Sequence, residues 1–375
     1  MKKYVVCPDS FKGSLSADKV AGAIEKGILA YDGSAEVVKA PIADGGEGTL
    51  DALVPKSERI RLTVRSTDGT PVEAEYGIIN GTAVIEMAAA AGLCLVKEED
   101  RNPERASTFG VGELIRDALD RGFEKIMITV GGSGTNDGGS GLIEALGAQF
   151  YDADGKLLSA SGGALAKIER IDASGLDGRL KDVELTFACD VKNPLVGERG
   201  ATYVYGAQKG ADGNMLARLE AGMKNYADKL ALASGRDVRD IEGCGAGGGT
   251  PASLLAFANA RIESGIDSVL AAIGFDAMLD GADLVVTGEG SIDRQSAYGK
   301  AISGVAARAR KKGVPVLVLV GVKGEGADEL LSLGIRRISA IADIAPSKEY
   351  SISHADELLE RLVPEELKRL DANNE

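Results

Sequence analysis

Histidine is nearly absent from this chain: His354 is the only one. A Ser-His-Asp triad or a histidine-bound metal would rest on that single residue, which falls in the C-terminal helical region and reads as a surface side chain. Cysteine is sparse too. Cys7, Cys94, Cys189 and Cys244 lie far apart and form no CxxC pair, so neither a zinc site nor a disulfide framework is indicated. Three of them sit in or next to apolar runs, where reduced, buried thiols are expected. No stretch approaches the ~20 apolar residues of a membrane span. The opening "MKKYVVCPDSFKG" turns polar after three apolar residues, unlike a signal peptide. Positive charge is in deficit, with 43 Lys and Arg against 57 Asp and Glu for a net charge of −14. An acidic chain repels phosphate backbones and anionic lipid, so no nucleic acid and no membrane partner is expected, although a local pocket can still be positive. These deficits together predict a cytoplasmic protein.

Glycine is what the chain has in excess: 50 of 375 residues, about 13% against a typical ~7%. The glycines follow no collagen-like period and cluster at the ends of apolar runs, so they mark loops. Glycine this dense costs conformational entropy on folding, which poses the question of what "GGSGTNDGGSG" (131–141) gains by it.

The length suits two domains. "KYVVC" (3–7) reads as a strand, "LSADKVAGAIEKGILA" (15–30) as a helix with Ser16 as N-cap, and "AEVVKAP" (35–41) as a second strand. The C-terminal part repeats that rhythm. "DLVVTGEGSID" (283–293), "VPVLVLVG" (314–321) and "RRISAIADIA" (336–345) are strands, "YGKAISGVAARARKK" (298–312) is a helix, and "SHADELLERLVPEELKRL" is a closing helix or helix pair. Apolar runs alternating with helices predict a doubly wound parallel sheet. Between them, "RIRLTVRSTDGTPVEAEYGIINGTAVIEM" (59–87) carries two turn signals and predicts an antiparallel meander. A helix at 110–121, the strand "KIMITV", a helix at 138–147, the strand "VELTFAC" (183–189) and a long helix near 213–234 follow. The expected fold is α/β with two domains: a flavodoxin-like doubly wound sheet from 1–62 and 282–375, and a mixed α/β domain, 63–281, inserted into it, with the active site in the cleft between them.

In doubly wound sheets ligands bind beyond the carboxyl ends of the strands, where the strand order reverses. The strand-end loops here hold Asp9, Ser10, Lys12 and Ser14, then Asp44, Gly45, Gly46 and Glu47, and later Glu289, Ser291, Asp293, Gln295 and Ser296. Carboxylates, hydroxyls and glycines in this number suit Mg²⁺ plus phosphate: a hard cation takes oxygen ligands, and phosphate takes backbone N–H groups and a Lys. The middle domain adds "GGSGTNDGG", "ACDVKNPLVGERGA" (188–201) with Asp190 and Asn193, and "YGAQKGA" (205–211) with Gln208 and Lys209. No Walker A loop exists. "GCGAGG" (243–248) matches GxGxxG, but polar "GRDVRDIE" precedes it in place of a strand, which argues against a dinucleotide fingerprint. Any one of these glycine loops alone is more often a tight turn than a phosphate cradle, and Asp9 or Asp44 alone is equally an N-cap. Five or six loops of one chemical type, nearly all after apolar strands, favour a site.

Read in order, "PDSFKGSLSA", "PIADGGEGT", "VGGSGTNDGGSG", "ACDVKNPLVGERGA", "YGAQKGA" and "VTGEGSIDRQSAYGKAISGVA" closely resemble the bacterial type I glycerate kinases, over essentially the whole chain. The resemblance implies ATP- and Mg²⁺-dependent phosphorylation of D-glycerate to 2-phosphoglycerate; a monomer or homodimer is expected. In that setting Mg²⁺ is assigned to carboxylates among Asp190, Asp293 and Glu289. Phosphate is assigned to the N–H groups of 131–139, including Gly131, Gly132, Ser133, Gly134, Asn136 and Asp137. Lys12 and Lys209 are assigned to offset charge, and Asp44 or Asp190 to accept the hydroxyl proton. Asp9, Ser10, Ser14, Gly45, Gly46, Asn193, Gln208, Gln295 and Ser296 complete the expected substrate contacts. Family members usually carry Pro where this chain has Ala207 and Ile302, and "GCGAGGGTP" (243–251) also departs from their pattern. A kinase for another small hydroxy acid and a non-catalytic nucleotide sensor are the alternative readings.

Overall fold

The protein is described by a computed structural model covering residues 1–43, 45, 48–292 and 301–372. The backbone separates into two compact units, one of Met1–Asp44, Asp51–Leu53 and Val269–Glu375, the other of Gly45–Leu50 and Val54–Ser268.

The first unit is built on a five-stranded, all-parallel sheet. Across it run Ile335–Ala340, Val316–Lys323, Leu284–Ile292, Lys3–Val6 and Glu36–Lys39, the flavodoxin-like order in which the chain's first strand sits beside its second and third. Alternate residues point to opposite faces. Tyr4, Val6, Leu284, Val286, Leu317 and Leu319 face helices Ala17–Tyr31 and Ala355–Ala372 in one buried cluster. Those two helices approach closely at Gly27, where a Cβ would lie 2.7 Å from Val363 Cβ. Ser16 does precede the first helix, but its hydroxyl makes no capping bond. The closing segment is one helix, Ala355–Ala372, with Pro364 inside it and a short helix, Lys348–Ser353, before it.

The second unit has a six-stranded mixed sheet, ordered Ala260–Glu263, Glu184–Ala188, Lys125–Thr129, Thr82–Glu86, Pro71–Ile79 and Ile60–Arg65. Pro71–Ile79 pairs antiparallel with Ile60–Arg65 across "TDGT" and with Thr82–Glu86 across "NGT", as those turn signals require. Thr82–Glu86 then pairs parallel with Lys125–Thr129, so the meander is one flank of a parallel sheet. Helix Gly213–Ser234 buries Leu219, Met223, Tyr226 and Leu230, a helical spacing of four, three and four. Asp212 caps its start by accepting from the Met215 N–H at 2.7 Å, and Gly235, at φ +73°, ends it. A small sheet of Leu157–Leu158, Gln149–Tyr151 and Arg170–Asp172 was not foreseen from the sequence. Among the described residues no helix is long and apolar enough to cross a membrane.

Candidate active site

In the second unit the loop 131–139 leaves strand Lys125–Thr129 and leads into helix Ser140–Ala145. Its glycines are largely a packing solution. A Cβ on Gly139, at φ +75°, would lie 2.4 Å from both the Thr250 carbonyl oxygen and Ser253 Oγ. The second glycine run, 245–249, packs backbone-on-backbone against the same loop: Gly138 N–H donates to the Gly248 carbonyl at 3.0 Å, and a Cβ on Gly248 would sit 2.0 Å from the Thr135 oxygen. "GCGAGG" is therefore a buttress for the loop.

This packing divides the loop in two. Residues 134–139 are buried. Asp137 is wholly enclosed; it accepts from the Thr108 N–H and hydroxyl and from the N–H groups of Gly139 and Gly141, at 2.8 to 3.1 Å. Burial pushes its pKa up while these bonds pull against it. Asn136 Nδ2 donates to Thr202 Oγ1 at 3.1 Å, and Gly134 N–H donates to the Ala91 carbonyl at 2.8 Å. Asn136 and Asp137, expected as phosphate contacts, are instead held inside the fold, because the close approach of the two glycine runs leaves no room for a ligand there; Gly134 is buried as well, packed on Gly92 with its N–H taken by Ala91. Gly131, Gly132 and Ser133 remain partly or fully exposed, and among the described residues their N–H groups have no protein acceptor.

Lys209 is the unexpected member. It is 1% exposed, and its Nζ donates to Ser133 Oγ at 3.0 Å and to the Thr135 carbonyl at 2.7 Å. Burial drives its pKa down to about 7, with Asp137 acting in the other direction. It braces the loop from behind. Its neighbour Gln208 is exposed, and Gly210, at φ +97°, packs onto Arg101: a Cβ there would lie 2.5 Å from the Arg101 carbonyl oxygen.

Asp190 lies two residues beyond strand Glu184–Ala188 and is exposed, with Oδ1 accepting the Gly265 N–H at 2.8 Å. Gly45, at φ +84°, packs on the same Gly265; a Cβ would lie 2.4 Å from its Cα. Asn193 uses both ends of its amide within the protein, donating to the Arg199 carbonyl and accepting from the Tyr205 hydroxyl, both at 2.7 Å. It shapes the Asp190 loop.

Sequence reasoning missed a cavity of about 430 Å³ in this unit, walled by residues that include Gly92, Gly134, Lys97, Arg101 and Arg105. No strand precedes "RNPERAST" (101–108), so a search of strand ends passes over it. Two arginines four apart around Pro103, in a chain short of positive charge, were the available signal.

In the first unit, Asp9, Ser10 and Lys12 follow strand Lys3–Val6 and Glu289 lies near the end of strand Leu284–Ile292. The two are adjacent. Asp9 N–H donates to the Gly288 carbonyl at 2.8 Å, and a Cβ on Gly290 would lie 3.1 Å from the Lys12 nitrogen. Lys12 is exposed and, among the described residues, forms no ion pair. Ser14 instead donates its hydroxyl to the Ile352 carbonyl at 2.5 Å. Asp44, Gly46, Asp293, Gln295 and Ser296 lie outside the described residues. His354 is half-buried and stacked on the Tyr350 ring at 4.0 Å.

The glycerate kinase family model matches residues 4–370. The chain is 46% identical over 363 residues to a glycerate kinase of Bacillus subtilis (strain 168), covering 96% of this chain and 95% of that one. It is 44% identical over 349 residues to a glycerate 2-kinase of Escherichia coli (strain K12), covering 92% and 91%. A crystallised chain of Salmonella typhimurium LT2 assigned as glycerate kinase 2 superposes with a TM-score of 0.88 at 40% identity, covering 100% of this chain and 99% of that one. A match of this length and identity, on a fold shared throughout, means that the chain belongs to the glycerate kinase family.

Proposed function

We propose that the protein is an ATP-dependent glycerate kinase that phosphorylates the 2-hydroxyl of D-glycerate. The full-length likeness to kinases named for glycerate carries this reading. In-line phosphoryl transfer demands little covalent chemistry of a protein; it demands positioning and neutralised charge. The N–H groups of Gly131, Gly132 and Ser133, which meet no acceptor among the described residues, are suited to phosphate oxygens, narrowing the cradle to the part of the glycine loop that reaches solvent. Lys209 acts through that loop, since a side chain 1% exposed does not touch substrate. Lys12, exposed and without an ion pair among the described residues, offsets charge on phosphate or carboxylate.

Asp190 is the proposed base. Its carboxylate is exposed, and the Gly265 N–H holds it in place through Oδ1, as a positioned base requires. As that proton leaves, the hydroxyl oxygen bonds to the γ-phosphorus, and the bond to the ADP oxygen breaks with its electron pair. Mg²⁺ bound with ATP takes oxygen donors, usually one or two carboxylates beside the phosphates. A carboxylate of either Glu289 or Asp190 would offer that donor chemistry, and the ion would supply positive charge against the phosphates.

A coupled assay with ATP, Mg²⁺ and D-glycerate tests the reading, with the product resolved by NMR. Formation of the 2-phosphate is expected. Turnover only with a different hydroxy acid would overturn the substrate, and ATP binding without turnover of any hydroxy acid would overturn the activity.

A further inference from the structure

We propose that the 430 Å³ cavity of the second unit is an oxyanion-binding pocket, and that Arg101 and Arg105 grip a carboxylate or phosphate group there. Its lining holds Lys97, Arg101 and Arg105 against Asp68 and Asp100, three positive charges to two negative, within a chain whose net charge is −14. Asp68 turns its Oδ1 into its own turn, accepting the Thr70 N–H at 3.0 Å and the Thr70 hydroxyl at 2.7 Å, and so ties up neither arginine. Neither arginine pairs with a carboxylate among the described residues. Arg101 Nε is buried and has no acceptor there. A buried guanidinium donor left unmatched is costly, and a planar fork of donors is matched by the two oxygens of a carboxylate or phosphate.

The segment is also held ready. Gly210 grips the Arg101 backbone from one side, at a contact that no side chain would allow. Asn102 ties the turn down: its Oδ1 accepts the Glu104 N–H and its carbonyl accepts the Arg105 N–H, both at 3.0 Å. Lys209 and Gly210 are consecutive, so the short loop that braces the glycine loop also seats Arg101. The inference deepens the kinase reading, which supplies two oxyanions: the carboxylate of the hydroxy acid and the phosphates of the nucleotide.

Cys94 offers a readout independent of activity. It is exposed between Leu93 and Leu95, both of which line the cavity, while the other three cysteines are buried. Alkylation of Cys94 is timed in the full chain with D-glycerate, ATP or neutral glycerol. Protection by D-glycerate assigns the pocket to the carboxylate, and protection by ATP assigns it to phosphate; glycerol gives none. Losing a charge-assisted fork raises the half-protecting concentration about tenfold or more in R101Q and R105Q, with R101K recovering only part of it. Absence of protection by both anions, or unchanged half-protection in R101Q and R105Q, would overturn the proposal. R105Q alters an exposed side chain, so it keeps the test open if R101Q fails to fold. The coupled assay separates the two readings. Wild-type turnover with unaltered arginine variants sinks the pocket alone, and arginine-dependent protection without turnover sinks the kinase reading alone.

Discussion

Replacing Lys209 by Met keeps the length of the buried stem and removes the amine. In the folded protein burial holds that amine near pKa 7, against an ordinary value of 10.5. The folded-state pKa is depressed, so between about pH 7 and 10.5 the unfolded chain binds a proton that the folded chain does not. Stability therefore rises with pH across that window, and the penalty is fully present below it. The whole penalty is about 5 kcal/mol, at about 1.4 kcal/mol per pH unit. Against it stand the bonds to Ser133 Oγ and the Thr135 carbonyl, whose loss costs roughly 1–3 kcal/mol at any pH. K209M should thus match or exceed wild-type stability near pH 7 and fall below it near pH 9.5. The assay is urea unfolding of both proteins at several pH values, read by pulsed alkylation of Cys189 and Cys244, which are buried in the same unit. Their own titration is common to both proteins and cancels in the difference. A difference between wild type and K209M that stays flat from pH 7.5 to 9.5 would refute the buried, neutral amine.

Three further outcomes are expected. Gly139→Ala adds a Cβ 2.4 Å from the Thr250 oxygen at φ +75° and should cost roughly 2–5 kcal/mol in urea unfolding. Gly48→Ala, at φ +90° with nothing within 4 Å, should cost only about 1–2 kcal/mol; equal losses would show that packing is not what the loop glycine serves. Asp190→Asn keeps an oxygen for the Gly265 N–H, so turnover should drop by about 10²–10⁴ while the unfolding midpoint barely moves; normal turnover removes Asp190 from the chemistry. Alkylation of the native protein should mark Cys94 alone, because burial shields Cys7, Cys189 and Cys244 and raises their pKa values to between about 11 and 12. Native labelling at any of the three contradicts the packing described here.

Much of this architecture is local information. Apolar runs such as "VPVLVLVG" read as strands buried on both faces, the 213–234 stripe repeats at helical spacing, and "TDGT" and "NGT" announce reversals, because each signal lies within one element. The small sheet at 149–172 escaped, since strands of two or three residues carry no period. The site was legible as loops but not as surfaces. Which glycine N–H groups stay open depends on a second glycine run more than a hundred residues away, and 131–133 cannot be told from 134–139 by composition. "AQKGA" shows a lysine, but only the packed fold makes it a buried amine bonded to Ser133 and Thr135. Residues 101 and 105 had no strand to mark them. By itself the sequence determined the elements, their periodicity and the family. Tertiary structure decided which polar groups face ligand and which face one another, because burial and hydrogen-bond pairing are set by residues distant in the chain.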